Sequence, residues 1–377
     1  MKILLVSHYY PPHVGGMELV AFYQAKLLAA QGHSVTVVTS KVGTEEHSGV
    51  FQGVEVVRVP ALNLFEKKWG VPFPIFSPSL FFVLMRSAKK VDVVHVHDAF
   101  YMSSFFAAVC ARWYRKPVVL MQHVEMIAHP SSLVMFLQKV VYATTGAYLF
   151  NVSSKILTLN DRVERFLAER GVPQHKLVAF LNGVDTDLFY PATTEEKQVL
   201  KEKLGLAPDK KTLLFVGRFV PKKGFQKLLG IHDARYQMVF CGGAKPEHAP
   251  DHAVFLGSMS HADTAQAYRA ADAFVLPSVG EGFPLSVQEA MASGLPVITT
   301  NDSGYARYGF NHDLIRLIDN PTTQSVEVAI NDLVSDPEHM KAMSRYSREY
   351  ALAHFSWAKV IGTLIDIYKD ARKQPII

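Results

Sequence analysis

The sequence predicts an α/β protein with two parallel sheets, and three observations support that fold class. At 377 residues, the chain is longer than a single hydrophobic core usually organises. Short apolar runs alternate with amphipathic helical stretches, which is typical of parallel sheets covered by helices. The same alternation begins again near Thr212, after a stretch rich in turn residues. We therefore expect two domains of similar architecture.

The first half contains the strands and helices of the first expected domain. The apolar runs predict strands at Lys2–Val6, Val35–Thr39, Val54–Val59, Val91–His95, Pro117–Met121, Thr158–Leu159 and Leu177–Leu181. Helical periodicity predicts helices at Met17–Gln31 and Tyr101–Tyr114. The segment Asn182–Thr194 contains glycine, proline and threonines, and it is interpreted as a linker.

The second half repeats the pattern and ends in a long helix. Strands are predicted at Thr212–Gly217, Met238–Cys241, Val254–Leu256, Ala273–Leu276 and Val297–Thr299. A helix is predicted at Leu285–Ala292, and another at Ser356–Arg372. The buried side of the last helix is predicted to consist of Trp357, Val360, Ile361, Leu364, Ile367 and Tyr368.

Composition excludes several protein classes. With 49% hydrophobic and 19% charged residues, the chain does not have the composition of a disordered protein. Its two cysteines, Cys110 and Cys241, lie in apolar settings, so we expect buried thiols and no disulfide framework. The apolar run Ile3–Val6 has only the length of a strand, and no uninterrupted run reaches the ~20 residues of a membrane span. These observations predict a cytoplasmic protein.

The stretch Val279–Gly294 places two carboxylates around the start of a helix. Glu281 follows a predicted strand, in the kind of loop where open α/β sheets bind ligands. Glu289 lies about one turn inside the next predicted helix, whose N-terminal N–H groups attract anions. The spacing alone favours a simpler explanation: the two glutamates are a chance pair, and one of them is a favourable negative charge near a helix start.

The residues around these glutamates resemble a known signature. The sequence from Leu276 to Ile298 is similar to the donor-site motif of the retaining glycosyltransferases of family four, which have the GT-B fold. The resemblance implies two Rossmann-like domains, 1–185 and 186–355, that face each other across a cleft, and a C-terminal helix, 356–377, that crosses back to the first. It also implies that Glu281 holds sugar hydroxyls and that Glu289 holds the nucleoside ribose. The donor-binding residues implied in this stretch are Glu281, Gly282, Phe283, Leu285, Ser286 and Glu289.

Two further motifs agree with the resemblance. Gly15 and Gly16 precede a predicted helix, where glycines let a phosphate approach the backbone, although a tight turn also explains them. Arg218 and Lys223 follow the strand Thr212–Gly217, and the alternative for this pair is a charged surface turn. In the family, the glycines lie near the donor phosphates and the acceptor, and the two cations resemble the clamp on the leaving diphosphate. No G-x-G-x-x-G run follows the first strand, which argues against an ordinary NAD-binding domain.

Three histidines allow two interpretations. His95 and His97 share one face of a predicted strand and precede Asp98, so they could chelate a metal ion. The family commonly has this sequence without a metal, and we expect none. His123, near the end of the strand Pro117–Met121, resembles the histidine that contacts the transferred sugar. A hydrogen-bonded structural histidine is the alternative for His123.

A second pattern formally suggests a metal. Asp185 and Asp187 form a D-x-D sequence, which holds a divalent ion on the diphosphate in other glycosyltransferases. They lie within Asn182–Phe189, which matches the hinge sequence of the family. The two aspartates are therefore interpreted as turn and cap residues.

The acceptor side has weaker signals. After Ile298 the chain departs from the family pattern, and a Gly-Tyr-Ala-x-Tyr stretch at 304–308 resembles bacterial lipopolysaccharide-core glucosyltransferases. The segment Leu62–Lys90 mixes aromatic and basic side chains, which suits an anionic membrane surface and equally suits core helices with solvated lysines. Its aromatic and basic residues are Phe65, Trp69, Phe73, Phe76, Phe81, Phe82, Lys67, Lys68, Arg86, Lys89 and Lys90.

Together these observations predict a retaining, metal-independent hexosyltransferase of cell-envelope glycan or glycolipid synthesis. The expected partners are a UDP- or GDP-sugar donor, a glycan or lipid-linked acceptor and an anionic membrane surface at the inner face of the cell membrane. No cofactor and no nucleic acid are expected. The alternatives are a sugar-nucleotide 2-epimerase of the same fold and a non-catalytic nucleotide-sugar-binding protein.

Overall fold

The computed structural model describes residues 1–13, 15–43, 48–69, 71–126, 131–280 and 283–374. The chain forms two compact units. The first comprises Met1–Leu181 and Val360–Ile377, and the second comprises Asn182–Lys359. From Val360 onward the chain therefore belongs to the first unit again, although it has already passed through the second.

The described part of the first unit is a nine-stranded sheet covered by helices. Its strands are β1 Lys2–Val6, β2 Ser34–Lys41, β3 Gly49–Phe51, β4 Val54–Leu62, β5 Ile75–Phe76, β6 Val93–His97, β7 Val118–Gln122, β8 Lys155–Thr158 and β9 Leu177–Ala179. Its helices, with a π-helical turn at Tyr142–Gly146 between the fifth and sixth, are α1 Gly16–Ala30, α2 Leu64–Trp69, α3 Ser79–Lys90, α4 Met102–Trp113, α5 Ser132–Val141, α6 Ala147–Val152 and α7 Asp161–Ala168.

Strand order in this sheet places a topological switch at its centre. The order is β3-β4-β2-β1-β6-β7-β8-β9, with β5 paired to β4. All pairs are parallel except those that β3 and β5 make with β4. The chain runs outward in both directions from the β1–β6 pair, so the crevice beyond their carboxyl ends is the place where such sheets bind ligands.

The second unit repeats this plan with a smaller sheet. Its elements are α8 Thr194–Lys203, β10 Lys211–Val216, α9 Gln226–Leu229, β11 Tyr236–Cys241, β12 Val254–Gly257, α10 His261–Ala270, β13 Ala273–Leu276, α11 Leu285–Ala292, β14 Val297–Thr300, β15 Arg316–Ile318, α12 Thr323–Ser335 and α13 Pro337–His354. The six strands are parallel, in the order β12-β11-β10-β13-β14-β15. The switch point lies between β10 and β13.

The last helix, α14 Trp357–Ala371, confirms the predicted amphipathic pattern. All six apolar residues predicted for its inner side are buried, and Tyr368 is completely enclosed. Tyr368 is also hydrogen-bonded through its hydroxyl to Nδ1 of His95 in β6. The helix thus contributes a polar contact as well as apolar area to the first sheet.

Three predicted segments differ from the structure. The strand predicted at Thr158–Leu159 lies earlier and is longer, at Lys155–Thr158. The strand predicted at Val91–His95 lies two residues later, because pairing with β1 begins at Val93 opposite Ile3. The predicted linker Asn182–Thr194 is packed into the second unit, since Phe189 is fully buried and its ring contacts Tyr268 at a centroid distance of 5.4 Å.

One apolar stretch is longer than the sequence analysis recognised. Ser132–Val152 is long and apolar enough to cross a membrane by length and composition, with a mean hydropathy of 1.3, although 28% of it is buried within the protein. Leu149 and Phe150 belong to the core of the first unit. On α5, by contrast, Leu133 and Phe136 are each 62% exposed.

Candidate functional site

The switch point of the second sheet carries the predicted cationic turn. Arg218 and Lys223 lie in the loop that leaves the carboxyl end of β10, as the sequence predicted. Arg218 is exposed and Lys223 is half-buried. The Lys223 side chain lies against Gly217, whose position would bring an added Cβ to 3.5 Å from Lys223 Cδ. Both cations are therefore held at the end of one central strand.

Backbone contacts join this turn to the loop that follows β13. The N–H of Val279 donates to the carbonyl of Lys222 at 2.9 Å. Gly224 has a φ of +73°, and a Cβ there would lie 2.2 Å from the carbonyl oxygen of Pro277. Only glycine fits both the left-handed backbone and this close approach. The loops from the two switch-point strands consequently form one surface.

Aromatic packing fixes the base of the cationic turn. Phe219, which follows Arg218, stacks on Phe225 with ring centroids 5.2 Å apart and contacts Phe240 and Phe255 at 6.3 and 5.7 Å. Phe225 and Phe240 are buried. Because the apolar residues on this turn are anchored, the guanidinium of Arg218 is carried on an ordered backbone.

Two central predictions, Glu281 and Gly282, lie outside the described residues. Phe283 is described, and its side chain is only 5% exposed. It packs against Tyr308 at 4.4 Å and Tyr305 at 5.1 Å between ring centroids. The Gly-Tyr-Ala-x-Tyr stretch therefore supports Phe283 from behind, a structural role that the sequence analysis did not assign.

The helix α11 begins at Leu285, as predicted, and has no side-chain cap. The N–H groups of Val287 and Gln288 are bonded to the carbonyl of Pro284. The N–H groups of Leu285 and Ser286 come before these bonds, at the positive end of the helix dipole. This end of α11 is chemically suited to an anion.

Glu289 is buried and already oriented by two neighbours. Its carboxylate oxygens lie 3.1 Å from Nε2 of His261 and 3.1 Å from the hydroxyl of Tyr268. Burial, together with the adjacent Glu289 charge, holds the pKa of Tyr268 well above its usual value, so the phenol keeps its proton. That O–H group is a hydrogen-bond donor shared between the Glu289 carboxylate and the carbonyl of Ser286, which lies 3.0 Å away. Each carboxylate oxygen has a second lone pair available for a ligand hydroxyl. Glu289 was among the predicted site residues, whereas His261 and Tyr268, which hold its carboxylate, were not.

In the first unit, Gly15 and Gly16 stand at the start of α1, as predicted. A Cβ on Gly15 would lie 2.2 Å from Oε2 of Glu18, so the Glu18 carboxylate folds back over the start of the helix. This carboxylate occupies the space in which a phosphate would approach Gly15. The helix start in the first unit is thus already neutralised by its own side chain.

Glu18 belongs to a network that the sequence analysis missed. His13 lies 3.2 Å from Glu18 and 3.2 Å from Glu66. Burial acts to lower the pKa of His13, but its bonds to the two carboxylates raise the pKa above the ordinary value overall. Burial acts to raise the pKa of Glu18, and the hydrogen bond from His13 with the nearby His8 brings it below the ordinary value overall. Charged or strongly polarised groups are therefore paired at this edge of the first sheet.

His123 follows β7 and is bonded to a second histidine. Its Nε2 lies 2.9 Å from Nδ1 of His97, and the two rings are stacked with centroids 5.2 Å apart. His97 is fully enclosed, and His123 is 5% exposed. Burial lowers the pKa of His123 to about 3 and the pKa of His97 well below its ordinary value, so both rings are neutral near pH 7.

The residues considered for a metal site have other partners in the structure. His95 and His97 are stacked 4.7 Å apart, and their Nδ1 atoms are bonded to Tyr368 and His123 respectively. Oδ1 of Asp185 accepts the N–H groups of Asp187 and Leu188 at 3.2 and 3.1 Å, as expected of a turn residue. Within the described ranges, no group of three or more histidine, cysteine, aspartate or glutamate residues could hold a metal ion.

Comparisons with known proteins agree with this geometry. The family described as Glycosyltransferase Family 4 matches residues 14–188, and the family described as Glycosyl transferases group 1 matches residues 196–350. The chain is 25% identical to an uncharacterized glycosyltransferase of Methanocaldococcus jannaschii, covering 98% of each protein. It is also 25% identical to a GDP-mannose-dependent alpha-mannosyltransferase of Corynebacterium glutamicum, covering 98% of this chain and 89% of the relative.

A solved structure shares the fold. The Anabaena protein HepE in complex with UDP-glucose superposes with a TM-score of 0.75 at 16% identity, covering 98% of this chain and all of HepE. That likeness confirms two Rossmann-like domains of the GT-B type. The two family matches follow each other along the chain and cover most of both units. The chain therefore belongs to the group 1 glycosyltransferases of family four.

Proposed function

We propose that the protein transfers a hexose from a nucleotide diphosphate sugar to an acceptor hydroxyl, with retention of the anomeric configuration and without a metal ion. The observation that carries this proposal is the cationic turn, Arg218 to Lys223, at the switch point of the second sheet. The start of α11, which has no side-chain cap, supports the proposal. The positive end of this helix dipole and the two cations then belong to the same ligand-binding edge of the sheet.

The chemistry requires stabilisation of a departing diphosphate and of an oxocarbenium-like sugar. The guanidinium of Arg218 is suited to forking two phosphate oxygens, whereas Lys223 supplies a compact charge. The N–H groups of Leu285 and Ser286 take up further negative charge at the helix start. Since these groups already carry positive charge or a dipole, a divalent ion is not needed for the same task.

The sugar and nucleoside contacts follow from the residues around this turn. We assign Glu289 to the ribose, since His261 and Tyr268 hold its carboxylate in one orientation. Glu281 with Gly282 is assigned to the sugar hydroxyls, and His123 to the opposite side of the sugar. Gly15 and Gly16 remain assigned to the donor phosphates, with the condition that the Glu18 carboxylate moves away from the helix start.

Retention is proposed to follow a front-face course. No residue of the sequence stands out as a nucleophile, so we assign no covalent sugar intermediate. The leaving phosphate, still held by Arg218 and Lys223, would help to remove the proton from the acceptor hydroxyl as the new bond forms.

Two of the similar proteins bear on the donor. The mannosyltransferase relative depends on GDP-mannose, and HepE was solved with UDP-glucose. We therefore propose a UDP- or GDP-hexose. Turnover is tested by incubating UDP-, GDP- and ADP-sugars with and without acceptor extracts. Acceptor-dependent release of a nucleoside diphosphate supports a transferase, isomerisation without acceptor indicates a 2-epimerase, and binding without product indicates a binding protein.

We further propose a lipid-linked acceptor of the cell envelope, with the protein at the inner face of the cell membrane. On α3, Phe82 is 66% exposed, and Arg86, Lys89 and Lys90 are exposed at helical spacings from it. An apolar ring beside three cations suits an anionic lipid surface, at about 1 kcal/mol per well-placed cation.

The rest of the segment Leu62–Lys90 gives the membrane proposal less support than α3. Phe65 and Phe73 contact each other, with centroids 5.9 Å apart, and Phe73 continues to Phe100 at 5.2 Å. The rings of Phe65 and Phe73 are half-buried, and Phe76 packs against the core of the first unit. The predictions for the side chains of Lys67 and Trp69 lie outside the described residues. The membrane proposal consequently depends on α3.

Vesicle flotation tests the membrane proposal. The variant Lys89→Glu/Lys90→Glu should lose binding to anionic vesicles and keep donor binding. The matched control is Lys203→Glu/Lys341→Glu, which makes the same charge change at exposed sites of the second unit. If the wild-type protein stays in the soluble fraction at low salt, the acceptor is not presented on a membrane that this protein binds.

A further inference from the structure

The contact between His97 and His123 can hold only one proton. Nδ1 of His97 faces Nε2 of His123 at 2.9 Å, and both rings are buried and neutral. A neutral imidazole protonates one nitrogen and leaves the other as an acceptor. One of the two rings therefore donates, and that choice sets the tautomer of both.

The surroundings of His97 decide which ring donates. Nε2 of His97 is buried and has no hydrogen-bond partner among the described residues. If His123 were the donor, His97 would carry its proton on Nε2 and bury an N–H group without an acceptor. If His97 donates from Nδ1, only a lone pair is left without a partner. Buried donors without acceptors are rarer in proteins than under-satisfied acceptors.

The second nitrogen of His123 is then determined. With Nε2 accepting from His97, the single proton of His123 lies on Nδ1. Nδ1 has no partner among the residues that the structure describes, and it is not one of the enclosed atoms. It is therefore available to a ligand, as a donor.

We propose that His97 is a positioning residue that holds His123 in the Nδ1–H tautomer, so that His123 donates a hydrogen bond to an oxygen of the transferred sugar. The sugar contact rests on the proposed function, whereas the tautomer does not. His97 touches no substrate in this proposal and acts only through Nε2 of His123.

The chain contains a matched control for His97. His95 lies on the same face of β6, is equally buried and stacks on His97, but its Nδ1 bonds to Tyr368 and not to His123. Replacing either residue with Phe removes one buried imidazole from one strand. Only His97→Phe removes the hydrogen bond to His123. His97→Asn places an amide nitrogen near the position of Nδ1 and can restore the donor.

Imidazole ¹⁵N chemical shifts of the uncomplexed protein test the tautomer directly. The signals of His123 are assigned by their loss in His123→Asn. We expect the Nδ1–H tautomer in the wild-type protein, in His97→Asn and in His95→Phe, and a mixture of tautomers in His97→Phe. An Nε2–H tautomer in the wild-type protein, or no change in His97→Phe, overturns the proposal.

Kinetics test the sugar contact. His97→Phe should lower kcat about tenfold while the KM for the donor stays within about twofold, and His97→Asn should recover most of the loss. His95→Phe should keep the kcat of the wild type per folded molecule. Because His97 acts through His123, adding His97→Phe to His123→Asn should cause no further loss. An additive loss overturns the positioning role.

The two measurements separate the two ideas. If the tautomer depends on His97 but neither His97→Phe nor His123→Asn changes kcat, the sugar contact is wrong and the tautomer assignment stands. If no sugar nucleotide is turned over at all, the proposed function fails while the ¹⁵N shifts still decide the role of His97.

Discussion

At the carboxyl edge of the first sheet the polar side chains are buried and bonded to one another, whereas at the same edge of the second sheet two cations stand on a turn. In the first unit, Glu18 is 5% exposed and His97 is fully enclosed. In the second, Arg218 is exposed and Lys223 is half-buried. Two sheets of similar plan thus carry different electrostatics at equivalent places.

This difference indicates that the two edges are suited to different chemical groups of a ligand. The second edge carries two cations and a helix start that has no side-chain cap, which favour a diphosphate. The start of α1 in the first unit is covered by Glu18, so a phosphate can approach Gly15 and Gly16 only after that carboxylate moves away. An edge of neutral histidines and paired carboxylates is better suited to hydroxyl groups, which both donate and accept hydrogen bonds.

The largest expected effect comes from Gly224, which joins the two loops of the second edge. Gly224→Ala would place a Cβ 2.2 Å from the carbonyl oxygen of Pro277 at a φ of +73°. Strain of this kind costs on the order of 1–3 kcal/mol, and relieving it must displace the loop that carries Lys223. We expect UDP or GDP affinity to fall by about a hundredfold, measured by calorimetric titration.

Gly230→Ala is the control for this substitution. Gly230 has no positive φ and no atom within 4 Å of an added Cβ. Equal nucleotide affinity in the two folded variants would contradict the view that the close approach at Gly224 shapes the donor site.

The cationic turn gives the next largest effect. Arg218→Ala and Lys223→Ala each remove a charged hydrogen bond worth about 1.5–3 kcal/mol to the diphosphate. Turnover should fall by at least about tenfold in each folded variant. Lys222→Ala is the control, because Lys222 is exposed and its contact with Val279 uses only the backbone. Full activity in both test variants would show that the phosphates bind elsewhere.

Lowering the pH should reduce the stability of the first unit more than that of the second. Burial lowers the pKa of His8 to about 4 and those of His95 and His123 to about 3, below the ordinary value of 6.5. Stability from these neutral rings is fully present above pH 6.5 and is lost as pH falls toward their folded pKa values. At pH 5.5 the loss is about 1 kcal/mol for each histidine.

Two groups of the first unit oppose this trend. Burial raises the pKa of Asp98 to about 6 from 3.8, so its folded form gains stability as pH falls through 6. His13 opposes it in the same way, because its bonds to Glu18 and Glu66 raise its pKa overall against the effect of burial. Four buried histidines with a lowered pKa, His97 included, outweigh these two groups. Hydrogen exchange, corrected for intrinsic pH dependence, should show β7 losing protection between pH 7.5 and 5.5 and β10 keeping it. Equal losses in both strands would contradict the comparison.

The candidate site residues of the second unit could be predicted from the sequence, whereas the polar network of the first unit could not. Arg218, Lys223 and the start of α11 could be predicted, because each belongs to a short local motif with a definite charge. The network of Glu18, His13 and Glu66 could not, because those side chains meet only after β1 and α2 are placed in three dimensions.

Strand register explains a further part of what was missed. His95 and His97 were correctly placed on one face, since alternation along a strand is local. Their partners could not be read from the sequence, because Tyr368 lies 273 residues from His95 and the alignment of β6 with β7 decides that His97 meets His123. Glu281 and Gly282 lie outside the described residues and remain predictions.

Chelation of divalent metal ions should have the smallest effect, because we expect no change in turnover. In the proposed mechanism, Arg218, Lys223 and the start of α11 supply the positive charge that a divalent ion would bring to a diphosphate. Asp185 uses its carboxylate to cap its own turn. Turnover should therefore be the same before and after exhaustive EDTA treatment, with a metal-dependent transferase in the same buffer as the positive control. If activity disappears and Mn²⁺ or Mg²⁺ restores it, the second edge does not neutralise the diphosphate by itself.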